Sequence, residues 1–573
     1  MEKKLTGYPS IDKPWLKYYS EEAINAPLPE CTIYEYLWEN NKDHLDSIAI
    51  RYYGRLIRYK ELFRMIERTA RSLYEFGVRK GDIVTVCLPT VPEAVYLIYA
   101  LNYIGAIPNM LDPRYNEKLL SYCLKESPSK LLFTFDGCYQ KFLKIEGNEL
   151  PDRIVAIPAV ASASLAIKAA FWIKNKPVQI QRKQDCTWKQ FIRFPVSAKA
   201  RENKEYEPDS CAFILHTGGT TGNPKGVMLS NRSVNAVAQQ YFATGYGDHK
   251  REQTVLDIIP PFASYGLCVS IHMPLCAGVS LIMIPKFDPE RFGDLIAYYK
   301  PNYIAAVPGF LENMIKSTKI NKMDLSFMVL LGCGGDSMTI EQENRINAFM
   351  KAHNSEARVY KGYGMSEVSA TACTCWKAAV EAGSIGIPFV KTAIKIINPT
   401  TYEELPYQVS GEICISGPGM MLGYVGNEEL TQKTIRRHKD GLLWVHTGDL
   451  GHITEDGFLF HDGRIKRMIV RYDGFKIYPE AVEQVISKHP QVQQCAVVKT
   501  KDEKFGMIAK AFIVLKTEVD DKERIWNEII QYCNQDLAER SVPQAHAFIS
   551  CMPLTSLGKI DYRALEEKAA KEE

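Results

Sequence analysis

The chain has 573 residues, which is too long for a single ordinary hydrophobic core, so we expect two or more domains. Its 70 basic and 67 acidic residues give a net charge of +3, and this balance offers no electrostatic case for nucleic acid as a partner. The 15 cysteines include no CxxC pair, which is typical of reduced thiols rather than of a disulfide framework or a zinc site. The first ten residues contain no apolar run of the kind found in secretory signals, so we expect a cytoplasmic protein.

The first third of the chain alternates between helical and strand-like patterns. Residues 59–76 place their apolar side chains on one helical face, and a Lys-Gly-Asp turn leads into the apolar run 83–88. Pro92 begins a second helix with proline in its first turn, and residues 106–111 are typical of the next strand. This alternation predicts an α/β fold with a large N-terminal domain of layered, largely parallel sheets and helices.

Residues 154–173 form a long stretch of mostly small and apolar side chains, followed by the basic run Lys174-Asn175-Lys176. Pro158, Lys168 and two serines interrupt it, so a helix lying on the protein or on a bilayer surface is favoured over a membrane span. Stretches of this kind usually pack internally. We therefore expect plain packing, with membrane contact as the less favoured alternative.

A Gly/Thr-rich loop follows the apolar strand at 212–215. It reads His216-Thr217-Gly218-Gly219-Thr220-Thr221-Gly222-Asn223-Pro224-Lys225-Gly226. Its glycines let backbone N–H groups approach an anion, while threonine hydroxyls and Lys225 add donors. It is not a Walker A loop, because Lys225 is followed by Gly226 rather than by Ser or Thr. The run indicates a phosphate-binding loop, and a purely structural turn is the alternative.

Further segments follow this loop in a fixed order: Gly362-Tyr363-Gly364-Met365-Ser366-Glu367, Thr447-Gly448-Asp449, Gly463-Arg464-Ile465-Lys466 and Gly558-Lys559. Together they resemble the motifs of the adenylate-forming superfamily, which includes acyl-CoA synthetases, luciferases and peptide-synthetase adenylation domains. The resemblance covers nearly the whole chain. It implies an AMP-forming acyl-CoA ligase, which converts a carboxylic acid and ATP to acyl-AMP and pyrophosphate and then transfers the acyl group to CoA.

The resemblance also implies roles for individual residues. The Tyr363 ring stacks on adenine, Asp449 accepts hydrogen bonds from the ribose hydroxyls, and Thr220 and Glu367 bind Mg²⁺. Lys559, which bridges the incoming carboxylate and the nucleotide, and Glu367 are the implied catalytic residues. The implied ATP- and AMP-binding residues are Thr217, Gly218, Gly219, Thr220, Thr221, Gly222, Lys225, Gly335, Asp336, Gly362, Tyr363, Gly364, Ser366, Asp449, Arg464 and Lys559.

Each of these residues also has an ordinary interpretation. Asp449 lies in a stretch rich in histidine and aspartate, 446–462, but its spacing fits no metal-ligand pattern, and turn chemistry explains the acidic Gly pairs. Taken singly, Glu367, Arg464 and Lys559 would be solvated surface charges. Their order along the chain is what favours the functional interpretation.

Residues 464–573 predict a small, mobile α+β lid domain, with strand-like runs at 494–499 and 508–515 and helical runs at 479–489 and 522–535. Residues 1–463 then form the N-terminal AMP-binding, or adenylation, domain. In the superfamily the lid rotates about a hinge after adenylation. The resemblance places that hinge at Lys466 and assigns Gly474 to the tunnel that receives CoA.

The resemblance also places the acyl pocket at Ala263, Tyr265 and Gly334. An α-ammonium group in a pocket needs a carboxylate partner, which Ala263 cannot supply, so an amino acid substrate is disfavoured. The chain departs from the family pattern at Lys361, where many relatives carry glutamine, and at Asp336, where a neutral residue or glutamate is more usual. We expect a medium- or long-chain fatty acid in preference to an aromatic acid.

Two alternatives stay open at this stage. One is a fatty acyl-AMP ligase or stand-alone adenylation enzyme that loads a carrier protein, against which the retained Gly474 loop argues. The other is a nucleotide- or acyl-binding relative that has lost catalysis, against which the joint presence of Lys559, Glu367 and Asp449 argues.

Overall fold

A computed structural model of the protein describes residues 5–147, 149–195, 206–217, 223–245, 250–502, 505–555 and 558–572. In this part of the chain the strands group into three larger sheets before residue 465 and two smaller sheets after it. The loop residues Gly218, Gly219, Thr220, Thr221 and Gly222, predicted to bind phosphate, lie outside the described ranges.

The first sheet has a parallel centre with antiparallel edges. Its central strands are buried on both faces, and this is why their sequences are nearly continuous apolar runs. In spatial order its strands are Ile387–Pro388, Cys373–Thr374, Val359–Tyr363, Leu330–Cys333, Tyr303–Ala306, Thr254–Asp257, Ser280–Met283, Ile48–Tyr52 and Arg55–Arg58.

The second sheet is also parallel except at one edge, where the strands on either side of the Gly/Thr-rich loop form an antiparallel pair. A hydrophobic core shared with the first sheet joins the two into one body. In spatial order its strands are Gly423–Tyr424, Lys225–Ser230, Cys211–Thr217, Ile107–Met110, Ile83–Cys87, Leu131–Phe135, Ile154–Ile157 and Cys186–Thr187.

The third sheet is antiparallel and has its own core. Its strands are Ala393–Ile397, Gly411–Ser416, Leu443–Ile453 and Ile435–Arg437, with Leu459–Arg464 paired to the long Leu443–Ile453 strand.

The C-terminal region has a sheet and hydrophobic clusters of its own. Its strands are Val492–Asp502, Gly506–Leu515 and Ala545–Phe548, and a short hairpin pairs Ile469–Val470 with Lys476–Ile477. The helices Pro479–Ser487, Lys522–Asp536 and Tyr562–Lys571 accompany this sheet. The α+β composition predicted for the lid is confirmed, while the domain boundary at 463/464 stays a prediction.

The α-helices of the N-terminal region cover the faces of the sheets. Pro92–Ile104 is apolar around nearly its whole circumference because it lies inside the shared core. The others are Pro9–Asp12, Glu21–Asn25, Ile33–Asn41, Tyr59–Glu75, Glu117–Glu126, Tyr139–Leu143, Leu165–Lys174, Trp188–Arg193, Asn231–Ala243, Met273–Cys276, Phe292–Tyr299, Pro308–Lys316, Ile340–Ala352 and Glu428–Thr434. The layered α/β fold predicted from the alternating pattern is confirmed.

The stretch 154–173 shows the expected packing on one side only, where Ile167 and Phe171 pack against the shared core. Its first residues form the buried strand Ile154–Ile157, but none of the ten residues of the helix Leu165–Lys174 is buried. We call this helix the surface helix. No helix within the described ranges is long and apolar enough to cross a membrane.

Candidate active site

A cavity of about 1910 Å³ lies where the N-terminal region meets the C-terminal lid. It is larger than the roughly 300–1,000 Å³ of a typical ligand pocket, so it has room for more than one small molecule. The predicted site residues that line it are Thr217, Ala263, Tyr265, Gly334, Gly335, Asp336, Gly362, Tyr363, Gly364, Ser366, Glu367, Asp449, Arg464, Lys466 and Lys559.

Asp449 is the centre of a polar cluster at one end of the cavity. The Tyr363 hydroxyl donates to Asp449 Oδ2 at 2.9 Å, and Arg464 Nε lies 2.8 Å from Oδ1. The cluster forms because Asp449 and Arg464 face each other across two paired strands. Burial favours the neutral acid, but His461, Arg464 and Tyr363 together hold the pKa of Asp449 below its usual value. The carboxylate is therefore ionised and oriented before any nucleotide arrives.

Glu367 lies at a second position on the cavity wall and is only 8% exposed. Its Oε1 accepts a hydrogen bond of 2.6 Å from the Tyr424 hydroxyl. Lys225 does not line the cavity, but its Nζ lies 5.4 Å from the centre of the Tyr424 ring. Tyr424 thus links the end of the Gly/Thr-rich loop to the Glu367 carboxylate.

Lys559 reaches the cavity from the lid. Its loop docks on the N-terminal region through the backbone N–H of Ile560, which donates to Asp336 Oδ2 at 3.1 Å. Gly558 has a φ of 80°, and a Cβ at that position would lie 2.5 Å from the Phe310 ring. Only glycine allows this close approach without displacement of the ring.

The Lys559 side chain lies against the turn that begins at Gly335. A Cβ built on Gly335 would be 3.6 Å from Lys559 Cε and 3.9 Å from Nζ. Burial lowers the pKa of Lys559, and the nearby Asp336 carboxylate opposes that shift. Asp336, predicted from the family pattern to bind nucleotide, is thus also a contact between the N-terminal region and the lid.

The predicted acyl pocket residues lie together on the cavity wall. Ala263 and Tyr265 both line the cavity, and the Tyr265 hydroxyl is 4.0 Å from the position that a Cβ on Gly334 would take. Beyond them the wall is apolar and belongs to the shared core, with Val255, Val269, Met273, Val279, Tyr303 and Leu330.

Lys361 departs from the family pattern and forms a buried ion pair. Its Nζ lies 2.6 Å from Glu343 Oε2, and the two side chains are only 6% and 8% exposed. Glu343 belongs to the helix Ile340–Ala352, which packs beside the strand that carries Lys361. The pair therefore joins this helix to the strand that leads to Gly362 and Tyr363.

Lys466, the predicted hinge residue, lines the cavity. Arg467, which the family motifs do not include, lines the cavity beside it. Arg467 binds Glu480 at 2.5 Å and Glu483 at 2.7 Å, and its guanidinium lies 3.6 Å from the centre of the Tyr562 ring. These contacts tie the chain just after Lys466 to two helices of the lid.

Gly474 is not brought into the site. It occupies the turn between the strands Ile469–Val470 and Lys476–Ile477, and it is absent from the cavity wall. Because Lys559 occupies the cavity, this arrangement corresponds to the lid position implied for adenylation. The role assigned to Gly474 requires a different lid position.

Other residues at the site are given no role by the family motifs. Tyr424 acquires its role only because Gly423–Tyr424 pairs with the strand Lys225–Ser230, some two hundred residues earlier. His216 Nε2 is 2.8 Å from Asn109 Oδ1, and burial lowers the pKa of His216 to about 4. His216 therefore lines the cavity as a neutral side chain, and its place as the first residue of the Gly/Thr-rich loop was its only signal in the sequence.

Comparison with known proteins agrees with this geometry. Residues 37–425 match the family described as AMP-binding enzyme, and residues 481–559 match the AMP-binding enzyme C-terminal domain. A long-chain-fatty-acid–CoA ligase of Bacillus subtilis (strain 168) is 30% identical over 568 residues, which cover 97% of this chain and 98% of that protein. The 4-coumarate–CoA ligase CCL1 of Humulus lupulus is 29% identical over 540 residues, covering 91% and 90%.

Solved structures share the fold. The crystal structure of ATP-bound MatB from Rhodopseudomonas palustris superposes with a TM-score of 0.79 at 23% identity, covering 93% of this chain and 98% of that one.

Proposed function

This chain belongs to the family of AMP-binding enzymes, and from that premise we propose that it is an AMP-forming fatty acid–CoA ligase. The acid–thiol ligase activity follows from the family and from CoA ligases that match over nearly the whole chain. The fatty acid is our inference. It agrees with the long-chain substrate named for the Bacillus subtilis relative.

One observation supports the proposal most. The cavity that contains Lys559, the Asp449 cluster and Ala263 also has a wall made of apolar residues of the shared core. Each methylene group moved from water to such a wall contributes about 0.8 kcal/mol. A long alkyl chain therefore gains more from this site than a compact aromatic ring does.

In the first half-reaction, the substrate carboxylate attacks the α-phosphate of ATP, a C–O–P bond forms, and the bond to pyrophosphate breaks. Two anions must approach each other, so the site has to supply positive charge where negative charge accumulates. We assign Lys559 to that task and Asp449 to the ribose hydroxyls. Tyr363 and Arg464 keep the Asp449 carboxylate ionised and oriented.

Mg²⁺ is expected with ATP, and the Glu367 carboxylate fits it. Mg²⁺ prefers oxygen ligands and takes one or two carboxylates together with phosphate oxygens and waters. The Tyr424 hydroxyl donates a hydrogen bond to Glu367 Oε1, which fixes the carboxylate on the cavity wall. When bound, the ion neutralises phosphate charge. Thr220, the other proposed ligand, lies outside the described ranges.

In the second half-reaction, the CoA thiolate attacks the acyl carbon of acyl-AMP, the thioester forms and AMP leaves. We propose that the lid withdraws Lys559 at this stage and presents Gly474. Arg467 lies at the start of the moving segment and holds it to the lid helices. Rotation of this kind also protects the reactive mixed anhydride from water.

A substrate panel tests the proposal. Pyrophosphate release is measured with fatty acids of eight to eighteen carbons, 4-coumarate, benzoate and amino acids, each with CoA or with a phosphopantetheinyl carrier protein as acceptor. We expect the highest kcat/KM for a fatty acid with CoA. Dominant turnover of an aromatic or amino acid would refute the substrate inference, and acceptance of the carrier protein alone would refute the CoA inference.

A further inference from the structure

The surface helix Leu165–Lys174 turns an apolar row toward solvent. Leu165 and Ile173 are each 84% exposed and Trp172 is 36% exposed. Residues 165, 169 and 173 are spaced by four and share one helical face, and this face has alanine at its centre. Globular proteins usually turn such a face inward. The helix therefore presents an apolar surface that needs a cover.

The chain around this helix is purely basic. Residues 153–184 contain six lysines and arginines and no aspartate or glutamate. Three of the lysines, Lys174, Lys176 and Lys183, are exposed. The exposed apolar face is thus bordered by cations without local anions in the sequence.

The opposite face of the surface helix belongs to the active-site cavity. Ile167, Ala170 and Phe171 line the same cavity that contains Lys559. The N-terminal end of the helix is fixed to the body, because the Ser164 N–H donates to the Tyr53 carbonyl at 3.1 Å. The helix is therefore a thin wall between the cavity and the exterior.

We propose that the surface helix docks this enzyme on an anionic lipid bilayer and forms the mouth through which a fatty acid passes from the bilayer into the cavity. The second part rests on the proposed function. Ten residues give a helix of about 15 Å, half of the hydrocarbon thickness, so it lies in the interface plane rather than across it. Exposed leucine, isoleucine and tryptophan beside lysines are the composition that such interfacial helices use.

The charges favour a bilayer over a second copy of the chain. In a two-fold dimer through this face, the same patch would meet itself, and the exposed lysines of both copies would approach one another. Like charges at an interface oppose association, whereas anionic headgroups neutralise these lysines. The apolar row and its cations then act together.

Vesicle sedimentation of the full-length protein tests the docking. The vesicles are phosphatidylcholine alone or an equal mixture with phosphatidylglycerol. The apolar variant is Leu165→Asp/Ile173→Asp, and the basic variant is Lys174→Glu/Lys176→Glu. The matched control is Leu442→Asp/Lys439→Glu, which changes an exposed leucine and lysine in the turn between the strands Ile435–Arg437 and Leu443–Ile453.

We expect the parent protein and the control to bind the anionic vesicles. The apolar variant should lose at least tenfold in binding to both vesicle types. The basic variant should lose about fivefold or more in vesicle binding for each lysine replaced, and only on anionic vesicles. This loss should be smaller at high salt. Absence of binding by the parent, or equal binding by all variants, would overturn the docking.

Light scattering measures whether a second copy of the chain, rather than a bilayer, covers the surface helix. If the parent is a dimer that the apolar variant dissociates, and neither binds vesicles, the face joins two copies and the proposal is wrong.

The mouth has a separate readout. We expect the apolar variant to lose at least fivefold in kcat/KM for a long-chain acid presented in vesicles, with unchanged kcat/KM for a short-chain acid in solution. An equal loss of kcat/KM for both acids, or no loss for either, would contradict the proposal that the surface helix forms the mouth of the cavity. Failure of the proposed function is distinguishable, because the parent would then bind vesicles but activate no fatty acid.

Discussion

At the scale of residues, the site depends on side chains whose charge is fixed before substrate binds. Asp449 shows this, because Tyr363 and Arg464 hold its carboxylate from two sides and keep its pKa low. A carboxylate with a depressed pKa keeps its charge at pH values where an ordinary aspartate becomes protonated. It loses that charge only as the pH falls through the lowered pKa. The role proposed for Asp449, in which it accepts hydrogen bonds from two ribose hydroxyls, requires that charge.

Arg464→Gln tests this arrangement through pH. Removal of the guanidinium takes away one cause of the low Asp449 pKa, so the carboxylate should protonate at a higher pH than in the parent. We expect the acid limb of ATP binding, measured by titration calorimetry from pH 7 downward, to move to higher pH. The matched control Arg437→Gln changes an exposed arginine that is not on the cavity wall. An unchanged acid limb in Arg464→Gln would contradict the role assigned to Arg464.

At the scale of elements, glycine-bearing loops are held in place by contacts that no motif reveals. The strand that leads to Gly362 and Tyr363 is joined to the helix Ile340–Ala352 by the Lys361–Glu343 pair, both of whose members are buried. Taking two charges out of water is unfavourable, so the pair gives little net stability, but its separation leaves one charge buried alone.

A double-mutant cycle tests this pair. Lys361→Met should lower the free energy of unfolding in urea by about 3–5 kcal/mol, because Glu343 stays buried without its cation. Adding Glu343→Leu should recover most of that loss, since a well-packed apolar pair of similar volume replaces the ion pair. Simple addition of the two single effects would show that the residues do not interact.

The sequence predicted these elements unequally. The alternating apolar runs were sufficient to predict the layered sheets. The order of the motifs was sufficient to predict that Lys559 and Asp449 line the same cavity. The sequence did not predict the contacts of Tyr424, of Arg467 or of the Lys361–Glu343 pair. Each of these residues meets its partner through long-range strand pairing or helix packing rather than through local spacing. The surface helix packs on the shared core through Ile167 and Phe171, as predicted. The sequence did not predict that Leu165 and Ile173 would be exposed on its other face.

At the scale of the whole molecule, we propose that the lid position shown here serves only one of two half-reactions. Lys559 lies in the cavity, whereas Gly474 lies in a hairpin turn away from the cavity wall. We therefore propose that thioester formation requires the lid to turn about the segment containing Lys466.

Gly474→Leu tests the need for a second lid position. Because Gly474 is outside the cavity, we expect acid-dependent pyrophosphate release within twofold of the parent, but thioester formation from acyl-AMP and CoA at least tenfold slower. The control is Gly441→Leu, whose glycine has a φ of 78° against 76° for Gly474, so both variants carry similar backbone strain. Equal loss of both half-reactions in Gly474→Leu would refute its assignment to CoA.

The most direct test of the central claim, that Lys559 acts from the lid in adenylation alone, is Lys559→Ala assayed in both half-reactions. Removal of the cation that meets the incoming carboxylate should lower acid-dependent pyrophosphate release by at least a hundredfold, which corresponds to about 2.7 kcal/mol of transition-state stabilisation. Thioester formation from supplied acyl-AMP and CoA should stay within a few fold of the parent. Loss of both half-reactions in a folded variant, or retention of both, would contradict the account.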